Sequence, residues 1–280
     1  MGARLVLTDP QDVELAARAL AAGAVIGHAF GNFYVITTRP DEATVRSVNL
    51  LKGRPVGQVG SITTTPLRIP RVYDWSALPA GLSAHDVLGL MDALFELGPF
   101  GFRGPAAPDV PDHLTQLDAG VRTAQVIAPG YACPSNNLLA AGLHAAKTDL
   151  LYITSANQSR HLSGAPDSPA HWRAAGLRAD FGADRRFTLL EHADETAARA
   201  RYPRHAPMST TILAFHTLAA PASPPSGGRR RLVLERHGSL PVEAVREVVG
   251  RFGFDVVLGP LAGRRLLQRS YADEAAGVPA

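Results

Sequence analysis

The chain has 280 residues, of which 46% are hydrophobic, so it is long enough for one large domain with a buried core. Its net charge of +3 is compatible with an anionic ligand or RNA but requires neither. The single cysteine, Cys133, excludes an internal disulfide framework and favours a small buried side chain in a reducing compartment. Because we find neither a long apolar span nor a secretion signal, we expect a cytoplasmic protein without membrane contact.

The first half of the chain predicts short strands that alternate with helices. Pro10 begins a helix with apolar residues at helical spacing, and a second helix runs from Asp41 to Lys52. Ser83 and Asp86 have the spacing of a capping box, which predicts a third helix to about Leu97. Strands are predicted near residues 24–26, 33–37 and 60–65. The many glycines and prolines of residues 98–120 predict a loop.

The second half continues the same alternation. Strands are predicted over residues 123–127, 150–154, near 187, and over 209–215, 232–236 and 254–258. Helices are predicted after Pro134, near His171, and over 195–201 and 241–252. We divide the chain into a domain core, a Pro/Ser/Gly-rich linker, a strand–helix–strand unit that completes the domain, and a flexible tail. The ranges are 1–216, 217–228, 229–258 and 259–280. The irregular alternation indicates an α/β or α+β fold with a mixed sheet.

Four polar clusters stand where these elements end. They are Lys52 with Arg54, Ser155 with Asn157, Ser209 with Thr210, and Arg236. Ligands of open α/β sheets bind beyond strand ends, so each cluster is a candidate for a binding site. A Lys and an Arg two residues apart can offer a point charge and a planar fork to one phosphate chain. Taken singly, each cluster is better explained as a turn, a cap or a surface charge.

Several other kinds of site have no sequence signature. The ten histidines are scattered, without a pair at metal-ligand spacing backed by a third ligand, so we predict no metal-ligating residue. Walker, Rossmann and Gly-x-Ser-x-Gly motifs are missing from the sequence. The run Arg229–Arg231 could touch RNA but is better explained as the flank of a linker.

Taken together, the four clusters resemble those of the YrdC/TsaC family of threonylcarbamoyl-adenylate synthases and their relatives. The resemblance covers roughly residues 10–250. The motifs that carry it, in chain order, are Lys52-Gly53-Arg54-Pro55, Thr154-Ser155-Ala156-Asn157, Ser209-Thr210 and Glu235-Arg236-His237-Gly238.

This resemblance implies a twisted mixed sheet with flanking helices around a large basic cavity. It also implies a reaction in which bicarbonate and an amino acid form an N-carboxy amino acid, which ATP adenylates with release of pyrophosphate. In the family the product feeds the threonylcarbamoyl modification of tRNA adenosine. Lys52 and Arg54 would be catalytic, and Mg²⁺ would bind through the phosphates. The nucleotide-binding residues would be Lys52, Arg54, Ser155, Asn157, Ser209 and Arg236.

The sequence departs from the family where the amino acid would bind. The family's Pro-Thr-Asp-Thr segment is replaced by Phe30-Gly31-Asn32, although Tyr34 is kept. The family's Pro-Gly-Pro-Leu-Thr, Arg-x-Pro and Ser-Gly elements appear only as altered segments at 97–101, 127–129 and 163–164. We assign Asn32, Tyr34 and Thr64 to the substrate pocket and expect an acceptor other than threonine, because a pocket without the substrate's hydroxyl partners loses that selectivity.

Two functions therefore remain in view. The first is an ATP-dependent enzyme that forms a carbamoyl adenylate from a small amino acid; threonylcarbamoyl-adenylate synthesis is the default form of this activity, and the departures favour another acceptor. The second is a non-catalytic nucleotide- or RNA-binding relative with the same fold, which the loss of the threonine-bearing segment favours. A hydrolase or transferase on an unrelated α/β fold is the least favoured interpretation, and we expect no DNA partner.

Overall fold

The computed structural model describes residues 4–159, 168–220, 229–269 and 271. The predicted Ser163-Gly164 element, most of the linker and the end of the tail lie outside these residues. Twelve strands form one mixed sheet in the described residues. The strands are β1 (Leu5–Val6), β2 (Val25–Phe30), β3 (Phe33–Thr38), β4 (Ser61–Thr63), β5 (Phe100–Pro105), β6 (Thr115–Asp118), β7 (Val121–Ala128), β8 (Leu151–Ser155), β9 (Phe187–Glu191), β10 (Ile212–Leu218), β11 (Arg230–Arg236) and β12 (Phe254–Leu258).

Seven α-helices accompany the sheet in the same residues. They are α1 (Pro10–Ala21), α2 (Glu42–Leu51), α3 (Ala84–Phe95), α4 (Ser135–Ala146), α5 (Ala174–Phe181), α6 (Glu195–Arg201) and α7 (Val242–Arg251). Short 3₁₀ turns occupy Pro66–Val72, Trp75–Ala77 and Asp112–Leu114. The predicted capping box is present, with Ser83 and Asp86 exchanging side-chain and backbone hydrogen bonds at the start of α3. In this part of the chain, no helix is both long and apolar enough to cross a membrane.

The sheet brings together strands that are far apart in sequence. Its order is β1-β9-β2-β3-β8-β4-β7-β5-β10-β11-β12, with β6 paired to β7 beside this path. The hairpin of β2 and β3 is antiparallel, whereas β5 pairs with β10 in parallel. The mixed sheet confirms the predicted fold class, and β12 lies at the edge as expected.

The two faces of the sheet have different neighbours. Side chains alternate between the faces of a strand, so neighbouring residues of β3 are divided between them. Tyr34 and Ile36 belong to the main core, which includes the buried faces of α1, α3, α4 and α7. Phe33 and Val35 instead join Ile127 of β7 in a second, smaller apolar cluster. This second cluster lies on the face that carries the candidate site.

The loop predicted over residues 98–120 is wrong, because it contains β5 and β6. The two glycines inside β5 permit close packing and do not mark turns. A Cβ on Gly104 would overlap the ring of Phe215 in β10, and one on Gly101 would approach Ile212 to 2.9 Å. Glycine is needed here so that β5 and β10 can lie side by side. The resulting glycine content resembles that of a loop, which is why the sequence predicts one.

Candidate functional site

A cavity of about 490 Å³ opens on the second face of the sheet. Five of the six residues predicted to bind nucleotide line it, namely Arg54, Ser155, Asn157, Ser209 and Arg236. They come from the end of α2, the end of β8, the approach to β10 and the end of β11. The volume falls within the range of ordinary small-molecule sites.

The end of α2 supplies the first cation. Gly53 follows Lys52 with a φ of 69°, a left-handed conformation that favours glycine and turns the chain so that Arg54 reaches β8. Arg54 donates from Nη1 to the Thr154 hydroxyl over 2.6 Å. Its buried Nε has no hydrogen-bond partner among the described residues. Arg54 therefore retains an unused donor beside the cavity.

Lys52 lies behind the cavity wall. Its side chain is fully buried, and Nζ donates to the Thr154 hydroxyl over 3.1 Å and to the Ser155 carbonyl. The backbone NH of Ser159 donates to the Lys52 carbonyl over 2.8 Å, which fixes the segment after β8 against the end of α2. Unlike the other predicted nucleotide-binding residues, Lys52 is not among the residues that line the cavity.

The end of β8 supplies neutral polar groups. The Ser155 hydroxyl donates to Asn157 Oδ1 over 2.5 Å, and Asn157 Nδ2 donates to the Gln158 carbonyl over 3.1 Å. Strand β8 pairs with β3 on one side and β4 on the other, so the position of these side chains is fixed by both neighbours. They offer hydrogen-bonding groups without charge at the cavity wall.

The end of β11 supplies the second cation. Arg236 donates from Nε to the Thr210 carbonyl over 2.7 Å and from Nη2 to the Thr210 hydroxyl over 2.9 Å. Gly238 permits this contact, because a Cβ there would overlap the backbone of Ser209 and Thr210. Burial, followed by repulsion from Arg54, lowers the pKa of Arg236 to about 10. The side chain is nevertheless protonated at neutral pH.

The electrostatics of the cavity favour an anion. No Asp or Glu is found among the described residues that line it. Neither Arg54 nor Arg236 forms an ion pair within the described ranges. Two partly buried guanidinium groups without carboxylate partners lose solvation, and a bound phosphate or carboxylate would compensate for that loss.

A smaller recess of about 100 Å³ continues from the cavity and shares Arg54, Ser155, Ser209 and Arg236 with it. Its apolar wall is formed by Phe33, Val35, Ile127 and Ile153. At its polar side Gln125 donates to the Ser61 hydroxyl over 2.5 Å. None of the motifs in the sequence includes the residues of this apolar wall or Gln125 and Ser61, although all lie at alternate positions of predicted strands.

The three residues assigned to a substrate pocket are not among those that line the cavity or the recess. Tyr34 points to the opposite face from Phe33 and Val35, and its hydroxyl donates to Glu195 over 3.0 Å. Asn32 donates to the His205 carbonyl and to the Tyr271 hydroxyl, each over 2.8 Å. The Thr64 hydroxyl donates to the Asp149 carbonyl over 2.8 Å.

The segment after β12 also reaches the cavity. Leu261, Arg264, Arg265, Leu266 and Leu267 line its outer side. Arg265 donates to the carbonyls of Gly238 and Ser239 over 3.2 and 3.0 Å, and the Leu266 NH donates to the His237 carbonyl over 3.0 Å. The part of the predicted flexible tail that the structure describes is thus attached to the loop after Arg236. Its two arginines add positive charge at the cavity rim.

The cavity does not offer a protein site for a metal ion, since no carboxylate, histidine or cysteine is among its described lining residues. Elsewhere the structure does group three potential ligands, Asp118, His216 and Glu235. The sequence alone predicts no metal-ligating residue. The sequence could not reveal this group because its members lie on three separate strands.

Comparison with known proteins gives matches in structure only, since no sequence family and no curated protein matches the chain. A double variant of P. abyssi Sua5 matches with a TM-score of 0.63 and 18% identity, over 93% of this chain and 66% of that chain. P. abyssi Sua5 complexed with L-threonine matches with a TM-score of 0.60 and 18% identity, over 93% and 65%. HypF in its phosphate- and nucleotide-bound form matches with a TM-score of 0.51 and 14% identity, over 81% and 29%. The chain spans about two thirds of the length of the Sua5 chains.

Proposed function

Given that the chain has the mixed-sheet fold of the Sua5 and YrdC proteins, we propose that it is an ATP-dependent enzyme that forms a carbamoyl adenylate. The observation that carries the proposal is the pair Arg54 and Arg236, which face one cavity without carboxylate partners. Two related folds have been solved with ligands of the required kinds, Sua5 with L-threonine and HypF with phosphate and nucleotide.

The proposed reaction begins when the amine of an amino acid attacks bicarbonate and water is lost, which gives an N-carboxy amino acid. Its carboxylate oxygen attacks the α-phosphorus of ATP, and pyrophosphate leaves. The proposal assigns Arg54 and Arg236 to the phosphates, where they stabilise the charge that develops at phosphorus. Ser155, Asn157 and Ser209 supply hydrogen bonds that orient the nucleotide. Catalysis then depends on positioning and charge stabilisation.

Lys52 has a supporting role in this proposal. Its Nζ is separated from the cavity by the Ser155 carbonyl and the Thr154 hydroxyl that it contacts. It therefore holds the end of β8 and adds a buried positive charge close to the phosphates. Mg²⁺ fits as an ion carried by the phosphates of ATP, because the described cavity wall offers no carboxylate to bind it.

The amine acceptor is the least defined part of the proposal. The recess joins an apolar wall to Arg54 and Arg236, which suits a small amino acid whose carboxylate meets an arginine. Asn32, Tyr34 and Thr64 stay outside the recess, so they do not select the acceptor by direct contact. We propose an acceptor other than threonine, with threonine itself as the reference substrate.

The test is pyrophosphate release from ATP and bicarbonate, with the amino acids added one at a time. We expect release with one or a few of them, and a loss of activity of at least about 100-fold in Arg54→Ala and Arg236→Ala. Arg71→Ala is the matched control, because Arg71 is exposed and outside the cavity. Release that is unchanged in both cavity variants would contradict the proposal.

A second function is favoured by one observation, the burial of Lys52 behind the cavity wall. If Lys52 must touch the phosphates for adenylation, this arrangement binds nucleotide or RNA without catalysis. Nucleotide binding without pyrophosphate release across all amino acids would support this second function. RNA affinity that falls steeply with salt would extend it to RNA.

A further inference from the structure

Outside the cavity, three side chains that commonly bind metals converge on one point. Asp118 ends β6, His216 lies in β10 and Glu235 lies in β11. One potential ligand atom from each lies within 4.8 Å of the other two. His216 Nε2 and Asp118 Oδ2 are 3.0 Å apart. This group draws together a hairpin and two strands that are distant in sequence.

The burial of His216 makes the group unusual. Its side chain is completely buried, and Nδ1 has no hydrogen-bond partner in the described part of the chain. Buried polar atoms in native proteins are nearly always satisfied. Only one of its two ring nitrogens, Nε2, has a polar contact in the described residues, and that contact with the Asp118 carboxylate orients the imidazole.

The charges of the group are incompletely balanced. Asp118 and Glu235 bring two carboxylates close together, and Arg103 donates from Nε to Glu235 Oε2 over 2.6 Å. Arg103 thereby fixes one oxygen of Glu235 and leaves the other available. Among the described residues, the Asp118 carboxylate is paired only with His216 and with no arginine or lysine, so a divalent cation would give it the charge partner that Arg103 gives Glu235.

We propose that Asp118, His216 and Glu235 bind a divalent transition-metal ion such as Zn²⁺ or Mn²⁺. An imidazole nitrogen with two carboxylate oxygens suits these ions better than Mg²⁺ or Ca²⁺, which take oxygen ligands. Bonds of about 2.1 Å place two ligand atoms about 3 Å apart at right angles and about 3.4 Å apart at the tetrahedral angle, so His216 and Asp118, at 3.0 Å, need only a small adjustment to bind one ion. Asp118 is 43% exposed, so water can complete the coordination.

The ion would attach the β6–β7 hairpin to β10 and β11 and would also steady the recess. Arg103 joins the two places, because it contacts Glu235 and also donates from Nη2 to Gln125 over 2.8 Å. Gln125 lines the recess. The metal site does not depend on the proposed enzymatic function, since none of its ligands lines the cavity.

The test uses the full chain after treatment with EDTA, and Zn²⁺ alone as the probe. We expect one bound Zn²⁺ per chain by equilibrium dialysis with elemental analysis, together with a higher melting temperature. Asp118→Asn should weaken Zn²⁺ binding about 10- to 100-fold. Asp109→Asn is the matched control, because it removes an exposed carboxylate outside the group.

Two results would overturn the proposal. One is the lack of bound Zn²⁺ at micromolar free metal. The other is equal affinity in the wild type and in Asp118→Asn, which would place the ion at another of the ten histidines. Substitution by Co²⁺ gives an independent measurement, since nitrogen and oxygen ligation produces a visible absorption band that Asp118→Asn should weaken.

Discussion

Replacing Arg236 by methionine should separate ligand binding from stability. Burial is the main reason why the pKa of Arg236 is lowered from its ordinary value to about 10. At about 1.4 kcal/mol per pKa unit, holding its charge in the apo protein costs roughly 3 kcal/mol before screening by water in the open cavity. The two hydrogen bonds to Thr210 offset this cost, because together they add about 1–3 kcal/mol to the free energy of unfolding. These contributions nearly cancel.

We therefore expect Arg236→Met to change the free energy of unfolding by no more than about 1 kcal/mol without ligand. Methionine retains much of the arginine's apolar stem, so packing is largely preserved. Ligand should behave differently in the two proteins. ATP or pyrophosphate at about 100 times its Kd should stabilise the wild type by about 2.7 kcal/mol and the variant far less.

The assay is urea unfolding with and without ligand, using Arg71→Met as the control. The reasoning about Arg236 would be refuted if the variant lost more than about 2 kcal/mol without ligand and kept the full ligand-induced stabilisation. That outcome would mean that Arg236 is a structural residue whose charge is satisfied within the protein.

Three further predictions concern other parts of the site and core. Gly238→Ala should lower the melting temperature by several degrees in thermal unfolding, because its Cβ would overlap the backbone of Ser209. Arg265→Ala should weaken ATP binding in calorimetry about 3- to 10-fold, because it removes a positive charge from the cavity rim, and should cost only a modest amount of stability through the loss of two part-buried hydrogen bonds. Acid should destabilise the protein between about pH 6.5 and pH 4, because burial lowers the pKa of three histidines to about 4, so the unfolded chain takes up protons first. Urea midpoints across this range would measure the loss, and a flat profile would contradict it. These histidines are His28, His192 and His205.

Much of the fold could be predicted from local patterns. The helix start at Pro10, the capping box at Ser83 and the buried strand before Ser155 each depend on neighbouring residues, and each is confirmed. Strand β5 could not be predicted in this way. Its glycines are needed because any larger side chain would collide with Phe215 or Ile212. These two residues lie more than a hundred positions later in the sequence, so local composition cannot reveal the need for glycine.

The residues of the candidate site that belong to sequence motifs could be predicted, whereas those that reach the site only through the geometry of the sheet could not. Arg54, Ser155 and Arg236 stand at element ends, and the structure places them on one cavity. Only the family resemblance, which retains Tyr34, assigns this residue to the substrate pocket. Because side chains alternate along β3, Phe33 and Val35 line the recess and Tyr34 points to the other face. The sequence shows this alternation but does not show which face of the sheet carries the site.

The order of strands in the sheet has a consequence for how the protein is made. Arg54 and Arg236 are contributed by opposite ends of the sequence, and the sheet joins them only when β10 and β11 are in place beside β5. Such long-range pairing forms late and slowly. A nascent chain released before residue 236 lacks the second arginine and leaves the edge of β10 open to other chains. The protein can therefore bind the proposed ligand only after nearly the entire domain has been synthesised and folded.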